Sequence, residues 1–375
     1  MTPTGIAVIG GGIAGATSCI ALAKAGLRPC WIAPAPGDGP HLGETLSPAA
    51  NTILENLGLS GLLTSDRHRH ANTTFSAWGH DQLRERNSII HLEGAGMVLN
   101  RAVFERDLCD AALKTRPELF QTTLRDAQST PNGWQLVLGD GRSIQTRFVL
   151  DCTGRKAVIG QQNNQMHRAD QLVTAWSCLC QDDTKPDVEP TPATLIEAVP
   201  NGWWYASLLP DRRLMVCYFS DPDLLPSGMS HDVAHWESLI SQTNYIKQWV
   251  ESANFTVTSP PSLASAGTTW LSSAAGENWA SVGDAAAAFD PLSSHGMTTA
   301  LWMAAQASNA AKAFLENDLD PLEKYRAAVS KGVDDFLTQR RKIYGQEHRF
   351  RDSAFWRRRH QDVREKSPDQ LGIPA

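Results

Sequence analysis

The 375-residue sequence predicts an α/β fold. A parallel-sheet domain opens the chain and resumes late in it, an antiparallel-sheet domain is inserted between, and helices follow at the C-terminal end. Three observations carry that expectation. A short apolar strand, a glycine-rich turn and an alanine-rich helix follow one another within Gly5–Gly26. Residues 170–272 are rich in tryptophan and strand-like runs, with few helix signals. From Ala280 a buried strand, a loop and a long alanine-rich helix return to the first pattern. Hydrophobic residues at 42% and charged residues at 20% describe a globular protein with a large core. The formal net charge of −6 argues against nucleic acid as a partner. No apolar run reaches membrane-spanning length, and Met1-Thr2-Pro3-Thr4 leads straight into the strand, so neither a membrane span nor a signal peptide is expected. Seven scattered cysteines without a C-x-x-C pair fit a reducing cytoplasm, most of them as small buried hydrophobes. Cys178 and Cys180 share a strand face, where packing is favoured over a redox pair.

In the opening stretch, Gly5–Ile9 reads as a buried strand and Gly10, Gly12 and Gly15 supply G-x-G-x-x-G. This is the Rossmann-like dinucleotide fingerprint: a tight turn, close approach to a pyrophosphate, and helix–strand contact. The helix begins at Ile13 and Ala14, so its first N–H groups and positive dipole end aim at the phosphates. Arg28–Ala33 is the second strand. An acidic residue should end it and bind a ribose hydroxyl, yet Ala33-Pro34-Ala35 stands there. The ribose is expected to be held by backbone or water instead.

A loop over Pro34–Pro40 precedes Gly43-Glu44-Thr45-Leu46-Ser47-Pro48, and a helix runs from there through Leu57 to a stop at Gly58. Residues 72–92 alternate like strands around a turn at Trp78-Gly79-His80-Asp81. Asn100 is a candidate N-cap for a helix opening at Arg101. Asn132-Gly133 and Asp140-Gly141 mark hairpin turns, and Phe148–Gly154 is an apolar strand rejoining the first sheet. Gly202–Leu209 and Arg213–Phe219 flank Pro210-Asp211 as a hairpin, followed by a helical stretch near 231–250. The domains are therefore expected at 1–72, 97–169 and 273–320 for the first, 73–96 and 170–272 for the second, with 321–375 as a C-terminal helical region.

The second informative motif is Trp279–Ala286 with Asp290-Pro291-Leu292-Ser293-Ser294-His295-Gly296-Met297. An apolar strand ends in Gly283-Asp284, and a proline-bearing loop feeds a helix. With the opening fingerprint, Arg101 and Asp151-Cys152-Thr153-Gly154, the chain resembles the FAD-dependent aromatic hydroxylases and flavin-dependent halogenases. The resemblance covers most of the chain and implies an FAD-binding domain of aromatic-hydroxylase type with an inserted substrate domain. It implies that Gly283 and Asp284 hold the ribityl chain, that Pro291, Gly296 and Met297 lie beside the flavin ring, and that Thr45 and Arg101 lie near the cofactor. A carboxylate at a strand's carboxyl end suits sugar hydroxyls, and a helix N-terminus at Gly296 suits negative charge on a reduced flavin. A helix N-cap for Asp284 and a surface ion pair for Arg101 are the simpler alternatives.

Tryptophan halogenases carry W-x-W-x-I-P and a nearby catalytic lysine. Phe75-Ser76-Ala77-Trp78-Gly79-His80 is the closest segment here and has no lysine, which ranks oxygenation above halogenation. The chain is more similar to the flavoproteins that build the cysteine tryptophylquinone of lysine and glycine oxidases. That likeness rests on Gly43–Pro48, Asp290–Met297 and the compact length. It implies hydroxylation of a tryptophan in the precursor of a quinone-bearing amino-acid oxidase, with an external flavin reductant as electron source. Two alternatives stay open: a flavin hydroxylase or halogenase of a free small aromatic, and a non-catalytic flavin-bearing chaperone of the precursor.

Among candidate catalytic groups, His295 suits proton transfer at neutral pH, or contributes only its backbone. Glu44 orients substrate or caps the following helix. Trp203 and Trp204 point to opposite faces of a strand, one of them a candidate pocket wall against core packing for both. His231 and His235 would share a helix face but lack the glutamate of H-E-x-x-H, so no metal is expected. His68-Arg69-His70 is expected to be solvated. The basic C-terminal helices either dock an acidic partner or carry exposed charge around Trp356, the latter being the default.

Overall fold

Strand Thr4–Ile9 lies inside a parallel sheet, bonded to Cys30–Ile32 on one side and Ser143–Asp151 on the other. The structure is a computed structural model that describes residues 4–35, 43–64, 66–87 and 95–361. Its described helices are α1 (Ile13–Lys24), α2 (Ala50–Leu57), α3 (Arg101–Lys114), α4 (Val158–Asn163), α5 (Val233–Ser241), α6 (Tyr245–Ser252), α7 (Gly296–Leu315), α8 (Asp320–Gly345) and α9 (Ala354–Gln361). None is long and apolar enough to cross a membrane. The chain forms two units, residues 1–68, 99–170 and 268–335, and residues 69–98, 171–267 and 336–375. Where the sequence sets 321–375 apart as one region, α8 contributes to both units.

In the first unit the parallel strands run in the order Glu118–Phe120, Cys30–Ile32, Thr4–Ile9, Ser143–Asp151. The long strand Ser143–Asp151 has two partners beyond Thr4–Ile9. Its start pairs antiparallel with Gly133–Leu138, and its end pairs parallel with Trp279–Ser281. Thus a segment more than a hundred residues downstream completes the sheet opened at the N-terminus. Side chains along these strands, among them Ala7, Ile9, Ile32 and Val149, form a common apolar cluster. The cap expected of Asn100 is present, its Oδ1 accepting from Val103 N–H at 3.3 Å. Gly58 ends α2 in the left-handed region (φ 75°), as its lack of Cβ allows.

The second unit is built on an eight-stranded sheet whose path runs Phe255–Thr256, Val173–Gln181, Leu214–Ser220, Gly202–Leu208, Thr194–Val199, Thr73–Ala77, Arg84–Asn87. The pairings are antiparallel except for Thr194–Val199 with Thr73–Ala77. The expected hairpin at Pro210-Asp211 and the turn at Gly79 (φ 75°) are both present. The strand pattern expected to 92 is described only to Asn87, and residues 362–375 of the basic tail also lie outside the described residues. Trp203 and Trp204 do take opposite faces, and both pack. Trp204 joins the cluster with Tyr218 and Trp236, while Trp203 stacks on Phe219 at 3.9 Å and donates to Tyr344 Oη at 3.2 Å.

Several sequence expectations fail here for physical reasons. The helical stretch near 231–250 is two helices, because the Glu197 carboxylate accepts from Asn244, Tyr245 and Ile246 N–H and so builds a new helix start. His231 ends a 3-10 turn before the extended Asp232, so it shares no helix face with His235. His68 is buried, not solvated. The basic C-terminal residues are only partly exposed charge: Arg341, Lys342 and Arg357 are exposed, but Arg340 and Arg359 are buried. Arg359, with 3% of its side chain exposed, pairs with Asp221 at 2.8 Å and lies over the Phe355 ring at 3.5 Å. Arg358 bonds Asp221 and Asp223, and the Trp356 indole donates to Val199 C=O at 2.8 Å. Removing one member of a buried ion pair strands the other charge. Asp221→Ala is therefore expected to destabilise the protein by about 3–5 kcal/mol in urea unfolding, and an effect within experimental error would refute a tethering role for α9.

Candidate functional site

Three parallel, adjacent strands, Thr4–Ile9, Ser143–Asp151 and Trp279–Ser281, end on the same edge. That edge is where open α/β sheets bind ligands. The turns that follow are stitched together. Cys152 N–H donates to Ile9 C=O at 2.8 Å, and Val282 N–H donates to Asp151 C=O at 2.9 Å. Gly10 has φ 121°, and any side chain there would strike the Cys152 carbonyl. A side chain at Gly15 would strike the Gly10 carbonyl. These two glycines are needed for backbone approach. Gly12 is different: the position its Cβ would take has no neighbour within 4 Å. It is also the N-cap of α1 and brings no capping side chain. The amides at Ile13 and Ala14 therefore face an open cradle with no intrahelical partner. The residues at this position suit a dinucleotide.

Trp31 was not marked by the sequence reading. Its indole Nε1–H donates to Gly10 C=O at 2.8 Å, which holds the glycine turn in place. The available signal was an indole donor in a buried strand, which needs a partner. Asp151, part of the Asp151–Gly154 motif, organises its turn. Its carboxylate accepts from Thr153 N–H and Oγ1–H, and from Ile159 and Gly160 N–H at 2.8 and 2.9 Å. It fixes the turn that presents Arg155.

Gly283 (φ 64°) sits where a Cβ would meet Ala300 of α7 at 3.2 Å and Ala14 of α1 at 3.4 Å. The late strand thus docks on the opening helix, and α7 lies alongside, with Ser308 Oγ donating to Ser18 C=O at 3.3 Å. Next to Gly283, the Asp284 side chain is 43% exposed. Arg155 Nε lies 3.7 Å from its Oδ2. Desolvation raises the Asp284 carboxyl above the usual aspartate range, while Arg155 and then Arg101 pull it down. Arg155 is a second residue missed by the sequence reading, and its signal was a cation directly after Asp151–Gly154. Arg101 forms the expected ion pair, with Glu105 one turn on, and also bonds Gly43 C=O. The ion-pair alternative drawn for it is therefore present.

Glu44 is buried at 2% exposure, and its C=O accepts from Leu99 N–H at 2.8 Å. The N-cap of α2 is Ala49, without a side-chain bond, and Ser47 Oγ accepts from Ala49 N–H at 3.3 Å. Thr45 begins the two-residue strand Thr45–Leu46. In the late loop, buried Asp290 is the organising residue. Its N–H donates to Thr268 Oγ1 at 3.1 Å, and its Oδ1 accepts from Leu292 N–H at 3.0 Å, fixing Pro291 in a 3-10 turn. His295 is the exposed N-cap of α7, its C=O accepting from Thr299 N–H at 2.8 Å. Gly296 has open space at its Cβ position, and Met297 is buried. The fold thus gathers Gly10, Gly12, Ile13, Ala14, Gly15, Arg101, Gly283 and Asp284 at one edge, with Pro291, His295, Gly296 and Met297 on the segment leading into the helix against which Gly283 packs.

This combination of a doubly wound unit with a glycine cradle and an aspartate at the end of a parallel strand on the same edge defines a dinucleotide-cofactor protein with a second, sheet-based unit. The chain belongs to the tryptophan halogenase family, whose profile matches residues 97–371. It is similar to the FAD-dependent oxidoreductase LodB of Marinomonas mediterranea, at 24% identity over 372 residues covering 94% of this chain and 96% of LodB. Among solved structures it resembles QhpG, a peptidyl tryptophan dihydroxylase essential for tryptophylquinone cofactor biogenesis (TM-score 0.76, 23% identity, 96% of this chain and 79% of that one). It also resembles CndH, a myxobacterial FAD-dependent chondrochloren halogenase (TM-score 0.83, 19% identity, 96% and 88%).

Asp284 allows a test without ligand. Its folded-state carboxyl sits above the unfolded value, so the folded chain binds the extra proton more readily and stability falls as pH rises through that window. Asp284→Asn is expected to raise the melting temperature of the cofactor-free chain at pH 7 relative to pH 4. An unchanged or lowered value at pH 7 would contradict the assigned desolvation.

Proposed function

We propose that this chain is an FAD-dependent monooxygenase that hydroxylates a tryptophan side chain within a partner protein, the precursor of a quinone-bearing amino-acid oxidase. The cofactor is FAD, in keeping with the family and with the open cradle at Gly12. The observation that carries oxygenation over halogenation is that no lysine occurs between Lys24 and Lys114, the region holding the Trp78 segment. The end-to-end match to LodB supports an FAD-dependent oxidoreductase, and the fold shared with QhpG, a peptidyl tryptophan dihydroxylase, supports the peptidyl substrate.

Reduced FAD, charged by an external reductant, supplies the electrons that let dioxygen deliver one oxygen atom to an electron-rich ring. In this reading the amides of Ile13 and Ala14 neutralise the diphosphate, and Gly12 leaves room for it. Asp284 accepts hydrogen bonds from the ribityl hydroxyls, and Arg155 keeps its carboxylate charged against desolvation. Arg101 and Thr45 flank the cofactor from the other side. The start of α7, at Gly296 and Met297, stabilises negative charge on the reduced ring through its free amides. His295, exposed at that N-cap, is placed to move a proton at neutral pH. Buried Glu44 helps to shape the substrate side.

The runner-up is halogenation or hydroxylation of a free small aromatic, which the family profile and CndH favour. Purified chain, FAD, a flavin reductant and oxygen are incubated with precursor protein, and tryptic peptides are weighed. A tryptophan peptide heavier by one or two oxygen atoms is the expected result. Modification of free indoles alone, or chlorine incorporation when halide is added, would replace this reading. Asp284→Ala is expected to lose bound-flavin absorbance and peptide oxidation together. Persistence of precursor maturation in that variant would instead favour a chaperone role.

A further inference from the structure

His68 lies in the first unit between the 3-10 turn Ser60–Leu63 and helix α3, buried to 3% exposure. Its Nε2 is 3.0 Å from Leu62 C=O, which can only accept, so Nε2 carries the proton. Its Nδ1 then has a lone pair, and it accepts from Asn100 N–H at 3.1 Å. The ring edge also meets Phe104 at 6.2 Å. Both bonds can coexist only in one neutral tautomer. Asn100 is the N-cap of α3, and the next residue is Arg101, which reaches Gly43 C=O and acts electrostatically on Asp284. We infer that His68 is a positioning residue for the cofactor edge: as a neutral imidazole it fixes the start of α3, and protonation releases Asn100 and loosens Arg101. This inference rests on the FAD site proposed above.

The surroundings favour the neutral ring. Burial lowers the His68 pKa below its usual 6.5, and Arg67 acts in the same direction. The positive end of the α3 dipole opposes an imidazolium as well. The hydrogen bond to Leu62 and the carboxylates of Asp107 and Asp66 act oppositely. Arg67 and Asp107 are paired with each other, which also clamps the turn on α3. With a folded-state pKa below the unfolded one, the stabilisation is fully present above about pH 6.5 and declines as pH falls through that value.

The test titrates FAD into the cofactor-free full chain by flavin fluorescence between pH 5.5 and 8, for the unmodified protein, His68→Asn and His68→Leu. Asparagine places a non-titrating acceptor at the Nδ1 position. The unmodified protein is expected to lose affinity toward pH 5.5 by a factor of roughly two to five, short of tenfold because the ring's pKa lies below 6.5. His68→Asn is expected to retain neutral-pH affinity with a flat profile, and His68→Leu to bind weakly throughout. Parallel pH profiles for the unmodified and asparagine proteins would overturn the inference, as would a ring nitrogen spectrum showing the proton on Nδ1 at pH 7.5. The spectrum decides the tautomer even if the leucine variant does not fold. Absence of FAD binding at every pH would sink the cofactor reading itself, a result distinct from FAD binding that ignores His68.

Discussion

The architecture of the first unit depends on one close approach, that of the Gly10 backbone to the Cys152 carbonyl. No side chain fits there, and the Cys152 amide is bonded to Ile9 C=O. This contact sets how far the central strand can extend before the turn. It therefore fixes where α1 begins, and with it the amides that face the space in front of Gly12. Trp31 from one side and Gly15 from the other hold the same carbonyl-bearing residue, Gly10. A turn gripped from three directions presents a rigid anion site, and rigidity is what lets backbone dipoles act without reorganising.

The same logic extends to the late segment. Gly283 fits between Ala14 and Ala300 because all three are small, so Asp284 is delivered to the edge by packing between two helices. Its desolvated carboxyl is a local liability in the cofactor-free protein, partly offset by Arg155 and Arg101. A group held in an environment that disfavours its charge is common where a ligand will complete that environment. The buried carboxylates Asp151 and Glu197 are different. Each is surrounded by backbone N–H donors and serves to start a helix or fix a turn.

The second unit draws its stability from aromatic stacking and from charge buried in pairs. Trp78 meets Trp203, Tyr344 and Trp356 edge-on at 5.1 to 6.2 Å. The end of α8 and all of α9 supply two of those partners, and the Arg359–Asp221 pair locks them down. The C-terminal segment is thus part of this unit's core. Part of its basic charge, on Arg340 and Arg359, is buried within the unit, so composition overstates how much of it faces outward.

What local pattern carried, it carried well: the strand–turn–helix at Gly5–Gly26, the Asn100 cap, the hairpins, and the family resemblance that the profile match bears out. Those features depend on residues close in sequence, through glycine φ angles, capping bonds and alternation of apolar side chains. Tertiary structure alone decided the rest. It buried His68 and Arg359, and divided the helical stretch after Ser241 by bringing in a carboxylate from Glu197. It also revealed Trp31 and Arg155, whose partners Gly10 and Asp284 lie at distances along the chain that no local pattern encodes. The physical reason is that burial and electrostatic pairing are properties of neighbours in space, and a charged or polar side chain reads the same in sequence whether water or a distant strand receives it.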